Sequence, residues 1–223
     1  GVNVTIPHKT AVMEYLDTID EDARIIGAVN TVVNDGGRLC GYNTDVLGFI
    51  QALKDAGFEP AGRQAVVLGA GGAARAVLWG LIKEKVSGIR IGVRNPAKAQ
   101  PLAEEFAGTV PIEVFDWQQE SFQRGLSQAE LLVNTTPLGM YPRLEGMPPV
   151  DWQYVSPGTF VYDIIYTPAR TLFLQQAAEH GCPVLNGEGM LAGQGATAFQ
   201  LWTGQPADIA VMKKALQQAL QDK

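Results

Sequence analysis

The feature that most constrains the fold is an apolar strand that runs directly into a glycine-rich turn and a helix. Residues 65–68 read Ala-Val-Val-Leu, residues 69–73 read Gly-Ala-Gly-Gly-Ala, and a helix is predicted at 73–83. A wholly apolar strand is typical of a parallel sheet covered on both faces. Further strands are predicted at 89–93, 110–115, 131–134, 160–164 and around 184, and further helices from 96, at 170–180, at 190–202 and at 206–220. This alternation predicts a doubly wound α/β sheet.

The glycine-rich turn indicates a dinucleotide site. Backbone N–H groups at the start of the following helix can bind a pyrophosphate, and small residues let it approach. The alternative is a tight turn without a ligand. At the end of the next strand there is no acid for a ribose hydroxyl, whereas Arg94 and Lys98 suit a 2′-phosphate. The sequence therefore favours NADP, unless these two cations are only solvated surface charges.

The segment before the glycine-rich turn has a different pattern. Residues 2–6 alternate apolar and polar side chains and are predicted to form a strand that ends at Pro7, and residues 9–16 are predicted to be helical. Residues 29–33 and 38–42 flank Asn-Asp-Gly-Gly, a strong hairpin signal. Thr44 or Asp45 is predicted to cap the next helix, which ends at Gly57.

Two charged residues in this segment are candidates for proton transfer. A nicotinamide cofactor carries the hydride, so the protein has to supply orientation and a proton. Lys9 follows a strand-ending proline and could donate that proton from a cleft, although a lysine at a helix start is more often solvated. Asp45 could orient Lys9 or simply cap a helix. Asn3, Thr5 and Asn30 add neutral groups suited to a polyhydroxylated ring.

Composition excludes several classes of function. The net charge of -6 argues against nucleic acid or an anionic membrane as the main partner. No apolar run approaches the roughly 20 residues that a membrane-spanning helix needs. Cys40 and Cys182 match no metal-ligand spacing. We therefore expect a cytoplasmic protein with reduced cysteines, no metal and a small-molecule substrate.

Several ordered motifs resemble those of the shikimate dehydrogenase family. They are Asn-Val-Thr-x-Pro-x-Lys at 3–9, Gly-Ala-Val-Asn-Thr at 27–31, Asn-Thr-Asp at 43–45, the glycine-rich turn, Asn-Thr-Thr-Pro-Leu-Gly-Met at 134–140, Tyr-Asp-Ile-Ile-Tyr at 162–166, Gly-Glu-Gly-Met-Leu at 187–191, and Gln194. The resemblance covers essentially the whole chain. It implies an oxidoreductase, monomeric or homodimeric, that reduces 3-dehydroshikimate to shikimate with NADPH in chorismate and aromatic amino acid biosynthesis. A quinate/shikimate dehydrogenase and a catalytically impaired NADP- or metabolite-binding relative are the alternatives.

The resemblance also implies residue roles. Lys9 would be the catalytic acid/base, and Asp45 its partner and a substrate ligand. The other substrate-binding residues would be Asn3, Thr5, Asn30, Tyr166 and Gln194. The cofactor-binding residues would be Gly69, Ala70, Gly71, Gly72, Ala73, Arg94, Asn95, Lys98, Thr135, Met140, Ile164, Gly187 and Met190.

The family architecture implies two domains. An NADP-binding doubly wound, Rossmann-like domain at 46–187 would be inserted into a smaller α/β substrate domain made of 1–45 and 188–223. Many relatives read Asn-Arg-Thr where residues 93–95 read Val-Arg-Asn, which predicts a weaker preference for NADP. Relatives also have an upstream strand and helix carrying a Ser-x-Ser pair that binds the substrate carboxylate. We therefore expect the sequence to be part of a longer enzyme.

Overall fold

The structure is a computed structural model that describes residues 1–5 and 7–221. Its N-terminal part forms a four-stranded sheet in the order β1-β3-β4-β2. The strands are β1 (Val2–Asn3), β2 (Thr18–Ile19), β3 (Thr31–Asp35) and β4 (Arg38–Tyr42). A single 3-10 turn at Ala11–Tyr15 and helix α1 (Glu21–Ile26) complete this part.

The predicted hairpin is confirmed, whereas the elements before it differ from the prediction. β3 and β4 pair antiparallel from Thr31 opposite Tyr42 to the turn. β1 is shorter than the predicted strand, whose last position, Ile6, lies outside the described residues. The helix predicted at 9–16 is present only as the 3-10 helix at Ala11–Tyr15, which has no side-chain cap and buries no residue that could stabilise a longer helix.

The larger sheet has six parallel strands in the order β10-β9-β8-β5-β6-β7. They are β5 (Gln64–Leu68), β6 (Gly88–Val93), β7 (Ile112–Asp116), β8 (Leu131–Asn134), β9 (Phe160–Asp163) and β10 (Val184–Leu185). The chain runs outward from β5 to one edge and then returns to fill the other side. This is the doubly wound topology that the sequence predicts, and its strand order reverses between β5 and β8.

Seven further helices connect and cover the strands. They are α2 (Asp45–Asp55), α3 (Gly72–Lys83), α4 (Pro96–Glu105), α5 (Glu120–Gly125), α6 (Leu172–Glu179), α7 (Glu188–Thr203) and α8 (Ile209–Gln221). Within the described ranges, no helix combines the length and the apolar character needed to cross a membrane. The predicted substrate domain extends to residues 222 and 223, which lie outside the described residues.

Buried side chains cover both faces of the larger sheet. On one face Phe49 of α2 stacks on Tyr162 of β9 with ring centroids 5.2 Å apart. On the other face Phe122, Leu126 and Phe173 belong to a second buried cluster. Burial on both sides explains why β5, β8 and β9 carry continuous apolar runs rather than alternating side chains.

Two glycines allow α2 and α7 to cross in close contact. A Cβ at Gly48 would lie 2.6 Å from the carbonyl oxygen of Met190, and a Cβ at Gly193 would lie 3.0 Å from the Cα of Gly48. Both helices therefore approach through backbone. The contact brings Asp45, the first residue of α2, close to the face of α7 that carries Gln194.

Candidate active site

A cavity of about 370 Å³ lies between the two sheets. All seven residues predicted for catalysis or substrate binding line it, namely Asn3, Thr5, Lys9, Asn30, Asp45, Tyr166 and Gln194. Four of the predicted cofactor-binding residues line the same cavity, namely Ala73, Ile164, Gly187 and Met190. Sequence reasoning missed Val4 and Leu191, which complete the lining and carry no signal beyond lying next to predicted residues.

The two candidate proton-transfer residues form an ion pair at this cavity. The Nζ atom of Lys9 lies 2.6 Å from Oδ2 of Asp45, and their side chains are 20% and 10% exposed. The carbonyl oxygen of Lys9 accepts from the N–H of Val29 at 2.8 Å, which fixes its backbone beside β3. Asp45 begins α2, where the helix dipole favours a negative charge. One ammonium and one carboxylate are thus held together at the wall of the cavity.

Asn30 connects this pair to α7. It is buried, and its Nδ2 atom donates to Oδ1 of Asp45 at 2.9 Å and to Oε1 of Gln194 at 3.3 Å. Its Oδ1 atom accepts from the N–H of Thr44 at 2.8 Å and from the Thr44 hydroxyl at 3.2 Å. Of the two residues predicted to cap α2, Thr44 is the N-cap residue, but its hydroxyl makes no capping hydrogen bond.

The glycine-rich turn leaves the start of α3 open. Gly69 has φ +107°, and a Cβ there would lie 2.7 Å from Oγ1 of Thr135, so only glycine fits. Gly71 and Gly72 are exposed, and a Cβ at either position would meet no atom within 4 Å. This space lets a phosphate reach the backbone N–H groups at the helix start, so the residues present fit a pyrophosphate.

The residues predicted around the 2′-phosphate lie at the start of α4. Arg94 and Lys98 are exposed, and neither belongs to any ion pair formed by the described residues. The Asn95 side chain caps α4 by accepting from the N–H of Lys98. Two cations therefore remain for an anionic group, whereas the amide oxygen of Asn95 is engaged in the cap.

Thr135 and Met140 are two of the nine predicted cofactor residues that do not line the first cavity. The Thr135 hydroxyl donates to the carbonyl oxygen of Leu68 at 2.7 Å and so closes the end of β5 against β8. Met140 is 45% exposed and lines a second cavity of about 490 Å³ formed by residues 137–146. The structure brings neither side chain to the first cavity.

A buried polar cluster lies behind the cavity at the ends of β8 and β9. Asn134 and Asp163 are fully buried, and Nδ2 of Asn134 donates to Oδ1 of Asp163 at 3.0 Å. Burial raises the pKa of Asp163 to about 6, although hydrogen bonds from Thr171, Ile165 and Asn134 oppose this rise. Sequence reasoning missed the cluster, although two adjacent parallel strands that both end in a polar residue could have indicated it.

No group of three His, Cys, Asp or Glu residues within 1–5 and 7–221 is placed to hold a metal ion. Cys40 and Cys182 are both free thiols.

Comparison with known proteins identifies the family. The family model for the shikimate dehydrogenase substrate binding domain matches residues 1–32, and that for the shikimate 5'-dehydrogenase C-terminal domain matches residues 187–217. A shikimate dehydrogenase (NADP(+)) from Moorella thermoacetica is 47% identical over 99% of this chain and 75% of its own length. The chain belongs to the shikimate dehydrogenase family. The resemblance inferred from the motifs is thereby confirmed.

Solved structures of similar proteins share the fold. The Thermus thermophilus shikimate 5-dehydrogenase in complex with NADP(H) and shikimate is 39% identical with a TM-score of 0.87, covering 98% of this chain and 78% of that one. A quinate dehydrogenase from Corynebacterium glutamicum in complex with NAD is 32% identical with a TM-score of 0.89, covering 97% and 77% of the two chains. The predicted α/β fold with a Rossmann-like sheet is confirmed.

Proposed function

We propose that this protein is an NADP-dependent shikimate dehydrogenase that reduces 3-dehydroshikimate to shikimate reversibly, a step on the route to chorismate and aromatic amino acids. The observation that carries the proposal is the Lys9–Asp45 pair, 2.6 Å apart at a cavity that Ala73, the last residue of the glycine-rich turn, also lines. The names of its relatives support the same substrate and cofactor.

In this proposal, the substrate and the cofactor bind to different parts of the chain, each containing one of the two sheets. Residues 1–45 and 188–223 would bind the substrate, and residues 46–187 would bind NADP. The substrate side supplies Asn3, Thr5, Asn30 and Gln194, whose amides and hydroxyl suit ring hydroxyl groups. The cofactor side supplies the open helix start at Gly72. The cavity lies where the two sets meet, so a ring and a hydride donor bound there would lie side by side.

The protein's own part in the reaction is orientation and proton transfer. NADPH, when bound, supplies the hydride. The Lys9 ammonium donates a proton to the substrate oxygen during reduction and takes it back during oxidation. Asp45 holds that ammonium through Oδ2 while Asn30 holds Oδ1, so the carboxylate keeps one orientation.

The first prediction tests Lys9. Lys9→Met keeps the length of the side chain but removes the proton, so kcat should fall by about 10² to 10⁴, while KM for shikimate should change by less than about tenfold. Steady-state NADP reduction with shikimate measures both quantities. Lys54→Met is the matched control, because Lys54 also pairs with a carboxylate, Glu84 at 2.7 Å, but does not line the cavity.

The same assay separates the alternatives. Turnover with quinate comparable to that with shikimate would favour a quinate/shikimate dehydrogenase, which the likeness to the Corynebacterium glutamicum protein makes worth testing. A wild type that binds NADP but turns over neither compound would be a binding protein, and the proposal would then be wrong.

The second prediction concerns cofactor choice. Arg94→Ala should raise KM for NADP by about 10- to 100-fold and leave KM for NAD nearly unchanged, because a charge-assisted bond to a phosphate contributes about 1.5–3 kcal/mol. Kinetics with both cofactors measure the ratio. Arg38→Ala, an exposed change in the β3–β4 hairpin, is the control. Equal effects on NADP and NAD would contradict the assignment of Arg94.

A further inference from the structure

One buried carboxylate takes no part in the proposed proton transfer. Asp163 is the last residue of β9, is fully buried and does not line the cavity. Its Oδ1 atom accepts from Nδ2 of Asn134 at 3.0 Å and from the N–H of Ile165 at 3.1 Å, and its Oδ2 atom accepts from Oγ1 of Thr171 at 2.6 Å. A buried carboxylate destabilises a protein unless it is hydrogen-bonded. The segments that these three bonds hold together therefore indicate the role of Asp163.

The three donors belong to two loops that leave adjacent strands. Asn134 ends β8, and its Oδ1 atom accepts from both the N–H and the hydroxyl of Thr136, at 2.9 and 2.7 Å. Thr171 is the N-cap of α6, and its Oγ1 atom accepts from the N–H of Leu174 at 3.3 Å. Asp163 therefore fixes the start of the loop after β8 and both ends of the loop at 164–171.

The second loop forms one wall of the cavity. Ile164 and Tyr166 line the cavity, and the carbonyl oxygen of Ile165 between them accepts from the N–H of Gly187 at 2.9 Å. The two loops are joined as well, because the N–H of Tyr141 donates to the carbonyl oxygen of Thr167 at 3.1 Å. The position of this wall therefore depends on the bonds to Asp163.

We propose that Asp163 is a positioning residue that sets the cofactor-side wall of the cavity relative to the Lys9–Asp45 pair. The inference rests on the proposed function, because the wall matters to turnover only if a hydride donor lies against it. Asp163 is ionised at neutral pH, since burial raises its pKa only to about 6, and it accepts all three bonds in that form.

Two variants, each with a control, test the inference. Asp163→Asn keeps the shape of the side chain but replaces one acceptor with a donor, and Thr171→Val removes the hydroxyl that Thr171→Ser retains. Asp151→Asn is the control, because Asp151 also accepts from a backbone N–H, that of Gln153. Its turn packs at the far end of α6, where the ring centroids of Trp152 and His180 lie 6.2 Å apart.

We expect Asp163→Asn and Thr171→Val to lower kcat at least about tenfold and to raise KM for NADPH, since small misplacements of reacting groups reduce rates strongly. KM for 3-dehydroshikimate should rise less than KM for NADPH, because Tyr166 alone of its predicted ligands lies on this wall. Thr171→Ser and Asp151→Asn should behave like the wild type. Steady-state kinetics give these values. The concentration of binding-competent protein is determined from the fluorescence of bound NADPH.

The outcomes separate positioning from a purely structural role. If Asp163→Asn and Thr171→Val only lower the melting temperature, while kcat and both KM values of the folded fraction match the wild type, the inference is wrong. A wild type without turnover refutes the proposed function instead. The NADPH affinity then decides the inference alone, with weaker binding by Asp163→Asn supporting it and unchanged binding overturning it.

Discussion

At the scale of single residues, the site depends on buried polar groups whose hydrogen bonds are complete. Asn30 and Asp163 are both almost inaccessible, and each joins segments far apart in the chain. Removing one partner from such a network leaves a buried donor or acceptor unsatisfied, which costs about 1–3 kcal/mol per group. These residues are therefore tied to stability as well as to geometry.

The ionisation of Asp163 predicts a pH dependence of stability. Burial raises its pKa to about 6 in the folded protein, whereas the ordinary value is 3.8. Between these values the folded state binds more protons than the unfolded state, so the free energy of unfolding contributed by this residue falls as pH rises and levels off above about pH 6. The fall should be roughly 3 kcal/mol, from about 1.4 kcal/mol per pH unit.

Urea denaturation of the wild type and Asp163→Asn measures this contribution. The variant does not titrate at this position, so the stability of the wild type relative to the variant should be greater at about pH 4.5 than at about pH 7.5. A difference that stays constant across this range would contradict the raised pKa. The sign is opposite to that of a salt-bridged carboxylate, whose contribution is lost in acid.

At the scale of elements, the crossing of α2 and α7 brings together the polar residues that line one side of the cavity. Asp45 lies on α2 and Gln194 on α7, and Asn30 bonds to both. The crossing is close because Gly48 and Gly193 face each other. A change in the packing of these two helices should therefore also change the geometry of the site.

Gly48→Ala should disturb both properties. The added Cβ would lie 2.6 Å from the Met190 carbonyl oxygen, a backbone atom that cannot move alone, so we expect a loss of about 1–3 kcal/mol in the free energy of unfolding. kcat/KM for shikimate should fall as well, because Asp45 and Gln194 move apart. Denaturant unfolding and steady-state kinetics measure the two effects.

Gly195→Ala is the control for this prediction. Gly195 also lies in α7, but a Cβ there would meet no atom within 4 Å. Alanine at a helical position without a clash should stabilise the protein by about 0.5–1 kcal/mol. Equal destabilisation by both substitutions would show that the close crossing is not the cause.

At the scale of the whole molecule, the two sheets are joined on the α1 side by contacts with α3. The indole N–H of Trp79 donates to Oδ1 of Asp22 at 2.9 Å, and Nζ of Lys83 lies 2.6 Å from Oδ2. Arg75 adds hydrogen bonds to the carbonyl oxygen of Ile26 and to Glu105. α3 begins at the glycine-rich turn, so these contacts also hold that turn relative to the N-terminal sheet.

Asp22→Ala should weaken these contacts between α1 and α3. Burial opposes ionisation of Asp22, but the hydrogen bonds from Lys83 and Trp79 outweigh it and lower the pKa of the carboxyl. Its contribution to stability is therefore present at neutral pH and is lost as pH falls below the ordinary value of 3.8. We expect a loss of about 1 kcal/mol near pH 7, measured by urea denaturation.

Glu120→Ala is the control for Asp22→Ala. Glu120 pairs with Arg124 within α5 and is exposed, so its removal should cost no more than about 0.5 kcal/mol. If Asp22→Ala has no larger effect than Glu120→Ala, the α1–α3 contacts do not contribute to holding the two sheets together.

The sequence by itself determined the elements whose signals are local. The strand at 65–68 with its glycine-rich turn, the hairpin around 34–37 and the start of α4 at Pro96 all follow from periodicity and turn chemistry within a few residues. β2 was missed because two residues carry no periodicity, and α1 was missed although Asp20 and Gly27 supply its caps. Motif identity also singled out Lys9 and Asp45 as candidates.

Only the tertiary structure decided which of these residues meet and what supports them. Lys9 and Asp45 are 36 positions apart, and Asn30 and Gln194 are 164 apart, so no local pattern encodes their contacts. The hydroxyl of Thr44 bonds to Asn30 instead of capping its own helix, and the carboxylate of Asp163 joins two loops. Local patterns indicate which side chains are buried, but they do not indicate the hydrogen-bond partner of a buried polar group. When distant segments pack, water is removed from such a group, and it has to bond to whichever polar group the packing brings beside it.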